Sequence, residues 1–574
     1  MHLVIVDTAQ IQPYVFGSNR LRENVGASHL VAQATGNWAL EKVKEVATQH
    51  NIQNAETGCL NKELRIEEDQ LDAEVMYAGG GNTVVLFKDE DTADKFIRAL
   101  SIKLIENAPS LQVVTASKEF DWNDSLVKAV KETFDQLAIE KRSRPLSAPL
   151  LGLSVTAMCQ STGHPAMGMS REVGNDEFST YPASAETLFK LSKVDEANKR
   201  LRDLCGEGLY SSYDFPLDFD KLGRSFREQS FVAVVHADGD GMGNRIKEIR
   251  EAFENKEDGS YSKPNRRYIN AMRDFSEAVD AAAKAALTAT ILALIKSIDT
   301  KKGEIAHTIA NATVAPIKLE INDDKYLLPL RPIVFGGDDI TFVCDGRLGI
   351  SLALEYMKYF AKETENRKEK CRGKITSCAG IAIVKSHYPF ARAYGLAEEL
   401  CKSAKRYKSK KDLDVACLDW HFALSGLMGS LEEIRKREYE PRNKRLYQRP
   451  VSLEQENQTD IHAWNVVKKA LDAFQGCFDA DLPKEKQWSG KRNKMKSLRD
   501  ALREGEEAVD KFIKMFRLDS LPNLGERDIL SDLSKKGWRG KTCGYFDAIE
   551  LADLYLPLKG EEKDGSGNSP ETQE

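Results

Sequence analysis

The stretch that most constrains this chain is Leu330-Arg-Pro-Ile-Val-Phe-Gly-Gly-Asp-Asp-Ile-Thr-Phe-Val-Cys344. Apolar β-formers run up to two glycines and resume directly after two aspartates, which reads as strand, tight turn, strand. Adjacent carboxylates at a hairpin turn repel each other. Their repulsion raises one pKa or weakens the hairpin, and a divalent cation removes the conflict. Gly336 and Gly337 leave room for a ligand beside the backbone. Asp338 and Asp339 are therefore candidate metal ligands. Against this stands the plainer reading, two solvated acids in a turn.

A companion strand favours the metal reading. Phe231-Val-Ala-Val-Val-His236 runs into Asp238-Gly-Asp-Gly-Met-Gly243, and a helix is expected from about Asn244. Where such strands are neighbours, Asp238 meets Asp338 and Asp339, and few carboxylates with phosphate oxygens suit Mg²⁺. Gly239, Gly241 and Gly243 feed a helix N-terminus whose N–H groups suit a triphosphate. Asp240 divides evenly between ligand and solvated residue. Lys405, near the end of a helix expected over 389–406, divides between phosphate binding and a solvated helix end. His236 reads as packing or orienting.

The expected fold class is α+β, with two tandem ferredoxin-like palms. Residues 226–425 follow the order βααββαβαβ, and 1–141 follow a similar order. Strand-turn-strand Glu74 to Phe87 there carries Gly79-Gly-Gly-Asn82 in place of the acidic turn. We read an internal duplication. Residues 142–225 are expected to be a mixed domain, 426–558 a helical bundle and 559–574 a disordered tail. Asn255 to Arg267 reads as a flexible insertion, and Ala281 to Ile298 as a buried amphipathic helix rather than a membrane span.

Bulk composition excludes several classes. A 574-residue chain exceeds a single core. Its net charge of -6 announces no global nucleic-acid binder, so local runs at Lys402 to Lys411, Arg435 to Arg445 and Lys484 to Arg503 must carry any such claim. Ten cysteines without a CxxC pair are expected to be free thiols, which with the absence of a signal peptide predicts a cytoplasmic protein. Cys159 and His164 have the spacing of half a zinc site, and a purely structural role is favoured.

These motifs together resemble the type III CRISPR large subunit, the polymerase/cyclase family of the Csm and Cmr effector complexes, which is distantly similar to GGDEF cyclases. The resemblance rests on Phe231 to Gly243, Leu330 to Asp339, Ser377-Cys-Ala-Gly-Ile-Ala382 through Ala404-Lys405, and Val4 to Gln12 with Gly26-Ala-Ser28 at the start. It implies a two-metal nucleotidyltransferase that joins ATP into cyclic oligoadenylate, switched on by target RNA. Asp238, Asp338 and Asp339 are implied as catalytic Mg²⁺ or Mn²⁺ ligands, with Lys405 on a phosphate. Gly80, Gly81 and Asn82 of the first palm either hold a second nucleotide or are structural. Implied partners are guide and target RNA and small backbone subunits, with no membrane. No His-Asp dipeptide occurs, so a family-type HD nuclease is not expected, and bound zinc is doubtful. Two rivals remain: a standalone cyclic-nucleotide synthase, which would purify without guide RNA, and a non-catalytic scaffold, which would bind nucleotide without turnover.

Overall fold

A computed structural model describes residues 1–143, 152–153, 155–172, 180–209, 211–222, 230–309, 312, 314–423, 429–453, 460–524 and 528–559. The tail expected over 559–574 lies, but for Lys559, outside the described residues.

Leu3, Val4, Ile5 and Val6 are all fully buried, so the opening strand has protein on both faces, as its unbroken apolar run requires. The first palm runs β1 (His2–Ala9), α1 (Ile11–Phe16), α2 (Leu21–Thr35), α3 (Asn37–Val46), β2 (Ala73–Gly79), β3 (Asn82–Phe87), α4 (Glu90–Asn107), β4 (Gln112–Glu119) and α5 (Leu126–Ser143). Its four strands pair antiparallel in the order β2-β3-β1-β4. Two helices, α6 (Ala185–Ser192) and α7 (Val194–Cys205), lie in the segment between the palms.

The second palm comprises β5 (Phe231–Gly239), α8 (Met242–Ala252), α9 (Ser262–Lys296), β6 (Leu330–Gly336), β7 (Asp339–Asp345), α10 (Gly349–Asn366), β8 (Ser377–Lys385), α11 (Phe390–Lys411), β9 (Cys417–Ala423) and β10 (Val451–Ser452). Its sheet order is β6-β7-β5-β8-β9-β10, with β9 parallel to β8. The first four strands repeat the first palm's order and polarity. Even the irregularity recurs: the outer hairpin strand slips register between Val75 and Tyr77 in one palm and between Pro332 and Val334 in the other. The α+β class and the tandem ferredoxin-like palms are as the sequence predicts.

Strand alternation divides β5 between two cores. Ala233, Val235 and Ala237 pack in the core that contains α9 and α10, while Val232 and Val234 pack in the core that contains α11. With a side-chain period of two, Asp238 follows Val232, Val234 and His236 onto the α11 side. That alternation places it beside Lys405.

One expectation is overturned. Residues 262–267 are not part of a flexible insertion but the first turns of α9, a helix of 35 residues. Their polarity misled because it is spent on buried partners. Asn265 donates to the Trp122 and Asp124 carbonyls at 3.0 and 2.8 Å, and Arg266 pairs with Glu74 at 2.6 Å. By length and composition α9 passes the test for a membrane-crossing helix. Its place is between the sheets, however, with Arg273 buried against Glu74.

The C-terminal region is helical over Leu431–Tyr439, Trp464–Gln475, Arg492–Glu504, Glu506–Met515, Asp528–Lys536 and Phe546–Leu551. It is more than a bundle, because β10 extends the palm sheet and Trp538–Arg539 pairs with Thr542–Cys543.

Candidate active site

Asp238 and Asp339 face each other directly across β5 and β7, and Gly336 faces Asp339 across the hairpin. The turn then folds onto the end of β5: the Gly239 N–H donates to the Asp338 carbonyl at 3.2 Å. A side chain at Gly239 would bring its Cβ to 3.0 Å from the Asp338 Cβ, so glycine is what permits this closure. One carboxylate oxygen from each of Asp238, Asp338 and Asp339 lies within 4.8 Å of the other two. Among the described residues this is the one group of three or more metal-ligating side chains so close together.

The trio carries the electrostatic strain its sequence foretells. Crowding by protein around the carboxyl, with the charges of Asp338 and Asp238, pushes Asp339 up to about 8 although part of the residue is exposed. Burial, then the Asp238 charge, raises Asp338 as well. Folding therefore favours the protonated Asp339. This contributes stability fully present below the ordinary aspartate value near 4 and lost as pH rises through about 8. Metal-free protein is expected to lose melting temperature between pH 5 and 8.5, and Asp339→Asn to flatten that slope. Mg²⁺ or Mn²⁺ should recover most of the loss at pH 8.5. Calorimetry across the pH series, with and without metal, checks all three.

Two lysines one helical turn apart on α11 reach down to this edge. Lys405 pairs with Asp238 and donates to the Gly239 carbonyl at 3.3 Å. Burial alone would lower Lys405, but its hydrogen bond and charge pairing with Asp238 outweigh this and raise it. Lys408 takes Asp240 at 2.8 Å, and Thr376 donates to the same Asp240 oxygen at 2.9 Å. Asp240 is thus occupied outside the carboxylate trio. Lys408 and Thr376 went unrecognised in the sequence, although Lys408 stands at i+3 from Lys405, the spacing that puts both on one face. Gly241 opens α8 in the left-handed region at φ 73°, and Gly243 is exposed in its first turn. The His236 Nδ1 lies 3.1 Å from Thr341 Oγ1, and burial lowers its pKa. It is a packing residue under the site.

The first palm repeats this edge with its acids thinned. Asp7 pairs with Asn82, and Asn82 with Gly79, which places Asp7 where Asp238 stands and Asn82 where Asp339 stands. The Thr8 N–H donates to the Gly81 carbonyl at 3.3 Å, so Gly81 occupies the Asp338 position. The lysine is kept too. Lys141 donates to Asp7 at 2.6 Å and to the Thr8 carbonyl at 2.9 Å, as Lys405 does to Asp238 and Gly239. Sequence reasoning missed Asp7 and Lys141 as functional equivalents. The signal was present: each acid ends an apolar strand and each lysine lies late in a helix. The two glycine turns also meet, since a Cβ on Gly337 would lie 3.6 Å from the Gly80 Cα. Gly80, Gly81 and Asn82 therefore stand beside the second palm's hairpin, on the other side of a shared seam.

Cys159 is a different case. It is buried with its Sγ 3.4 Å from Thr187 Oγ1, and its backbone N–H donates to the His164 carbonyl at 2.7 Å. The described residues bring no set of Cys and His side chains together around it.

Residues 231–414 match the family model for the second palm domain of Cas10/Cmr2. The second palm is similar to that of Cas10/Cmr2. Over 96% of its length the chain also shares its fold with a solved Csm1–Csm4 cassette. A Csm1–Csm4 cassette in complex with AMPPNP aligns over 96% of this chain and 69% of that one, at 13% identity and a TM-score of 0.50. A Csm1–Csm4 cassette in complex with cA4 covers 96% and 68% at 12% identity and a TM-score of 0.48. Csm1 of T. onnurineus covers 97% and 69% at 12% identity and a TM-score of 0.45. No curated protein sequence matches the chain. The Cas10/Cmr2 match spans β5, both acidic motifs and Lys405, but not the first-palm segments on which the resemblance to type III large subunits also rests.

Proposed function

We propose that this chain is a nucleotidyltransferase that joins ATP into cyclic oligoadenylate, acting as the large subunit of an RNA-guided type III CRISPR complex. The observation that carries the reading is the convergence of Asp238, Asp338 and Asp339 within 4.8 Å on a Cas10/Cmr2 palm. Three carboxylates so close, two of them with raised pKa values, form a donor set fitted to Mg²⁺ or Mn²⁺. Bound there, the metals would neutralise phosphate charge and ease ionisation of a ribose 3′-hydroxyl.

The chain's own residues supply the rest. A Cβ on Gly241 or Gly243 would meet nothing within 4 Å, so the start of α8 has room for a triphosphate at the positive end of the helix dipole. With ATP bound, Lys405 would exchange its bond with Asp238 for a phosphate oxygen, freeing the carboxylate to act as a metal ligand. Gly80, Gly81 and Asn82 face the site from the first palm and hold the second nucleotide. Its 3′-hydroxyl gives its proton to water, the oxygen attacks the α-phosphorus of the first nucleotide to form a phosphodiester bond, and the α–β phosphoanhydride bond breaks, pyrophosphate leaving with that bond's electrons.

The basic run at Lys402 to Lys411 is partly consumed by the site, because Lys405 and Lys408 turn inward. The runs at Arg435 to Arg445 and Lys484 to Arg503 are the remaining candidates for guide RNA or small backbone subunits. The test is incubation of the chain, alone and with co-purified partners, with ATP and Mg²⁺ or Mn²⁺, in the presence and absence of guide and target RNA. Mass spectrometry is expected to find cyclic oligoadenylate, strongest with target RNA. No nucleotide product with either metal and any activator refutes the reading.

A further inference from the structure

The glycine turn that carries Asp338 and Asp339 is held from both sides by residues outside the palm's strands. The Gly337 N–H donates to Asp280 Oδ1 on α9 at 3.2 Å. The Phe335 carbonyl accepts from Arg200 Nη2 on α7 at 3.4 Å, and that guanidinium lies 4.6 Å over the Phe335 ring. Both side chains border Gly336, where a Cβ would come 3.2 Å from Asp280 Oδ1 and 3.8 Å from Arg200 Nη2. Gly336 and Gly337 sit at φ 120° and 73°, so the turn has the freedom of two glycines unless something outside it fixes their dihedrals.

The two holding helices each bridge the palms. On α7, Asn198 accepts from Arg331 of β6 at 2.5 Å, and Glu196 lies 3.4 Å from His29 of α2. On α9, Ser276 lies one turn before Asp280, and a Cβ on Gly79 would lie 3.9 Å from its Oγ. Asp280 also holds Lys284 at 2.6 Å, which fixes its second oxygen. The helix thus passes beside both glycine turns one helical turn apart.

We infer that Arg200 and Asp280 are positioning residues for the Asp338–Asp339 turn, through which the inter-palm helix α7 and the shared helix α9 bring the three carboxylates together. The inference rests on the proposed function for its consequence, since a metal site tolerates only about half an ångström of ligand displacement. It gives the segment between the palms a direct grip on the acidic hairpin.

The test uses the full chain and two pairs of variants. Arg200→Ala and Asp280→Ala remove the donor and the acceptor, while Arg200→Lys and Asp280→Asn keep them. Without metal, hydrogen exchange over residues 335–339 is expected to speed up about 10-fold in the alanine variants and to stay near wild type in the conservative pair. Mn²⁺ affinity, followed by electron paramagnetic resonance, should weaken about 10-fold in the same two variants. In the ATP reaction kcat should fall while KM for ATP holds. Wild-type exchange over 335–339 in both alanine variants overturns the inference, as does a loss shared equally by the conservative pair. If exchange and Mn²⁺ binding shift as expected but wild type makes no nucleotide product, the proposed activity falls and the positioning role stands.

Discussion

Replacing Asp338 with alanine will lower ATP conversion by at least about 10³-fold while leaving the fold intact, and Asp238→Ala and Asp339→Ala will do the same. The size follows from what the trio does in the proposed reaction. Each carboxylate contributes to holding the charge that neutralises a phosphate in the transition state, and removing one misplaces the others' ligand as well as deleting its own bond. Stability should move the opposite way. The three acids repel one another, with Asp339 pushed up to about 8, so deleting Asp338 relieves a like charge and raises the metal-free melting temperature at pH 8. Opposite signs for activity and stability are the mark of a functional site and are not expected of a structural ion pair. Asp7→Ala in the first palm supplies the contrast. Asp7 is already neutralised by Lys141 and stands opposite Asn82 and Gly81, so its loss should leave Mn²⁺ affinity at the second palm within about twofold. Product assays with Mn²⁺ titrations on the four variants decide the matter. Equal product from Asp338→Ala and wild type refutes the assignment of the trio.

The hairpin, the Asp238 strand and the repeated palm plan were legible because each is written in short-range pattern. Alternation, glycine pairs and strand-end acids need no knowledge of partners. What stayed hidden was relational. Asp7 and Lys141 look like an ordinary strand end and helix end until strand register places them on Asp238 and Lys405. Asp240 stood evenly between ligand and solvated residue, and only the approach of Lys408 and Thr376 shows where its charge goes. Asn265 and Arg266 sat in a run polar enough to suggest a loop. Their partners, Trp122, Asp124, Glu67 and Glu74, lie well over a hundred residues away in the other palm. Arg200 carried no signal at all, because its target is a backbone carbonyl and carbonyls are invisible to residue type.

Glu74→Ala is expected to destabilise the protein by about 3–5 kcal/mol. Glu74 is fully buried on β2 and accepts from Arg266 twice, at 2.6 and 2.8 Å, from Arg273 at 3.1 Å and from the Ile66 N–H at 3.0 Å. One carboxylate therefore compensates two guanidinium groups seven residues apart on α9. Arg266 has Glu67 as a second partner, but among the described residues Arg273, 1% exposed, has only the Met76 and Val75 carbonyls at 3.0 and 2.9 Å besides Glu74. Alanine would strand that charge in the interior, where desolvation is not repaid. Glu74→Gln keeps one acceptor and the side chain's shape, so it should cost less. Arg273→Met in the Glu74→Ala background removes the stranded charge and should recover part of the loss, a coupling of 1 kcal/mol or more by a double-mutant cycle of order-of-magnitude size. Calorimetry on the four proteins measures the coupling. Hydrogen exchange should show the opening at β2 and the first half of α9. Because α9 also carries Asp280, loosening its anchor to the first palm is expected to lower ATP conversion at temperatures where the chain is still folded. Purely additive losses from Glu74→Ala and Arg273→Met would refute the paired-charge account.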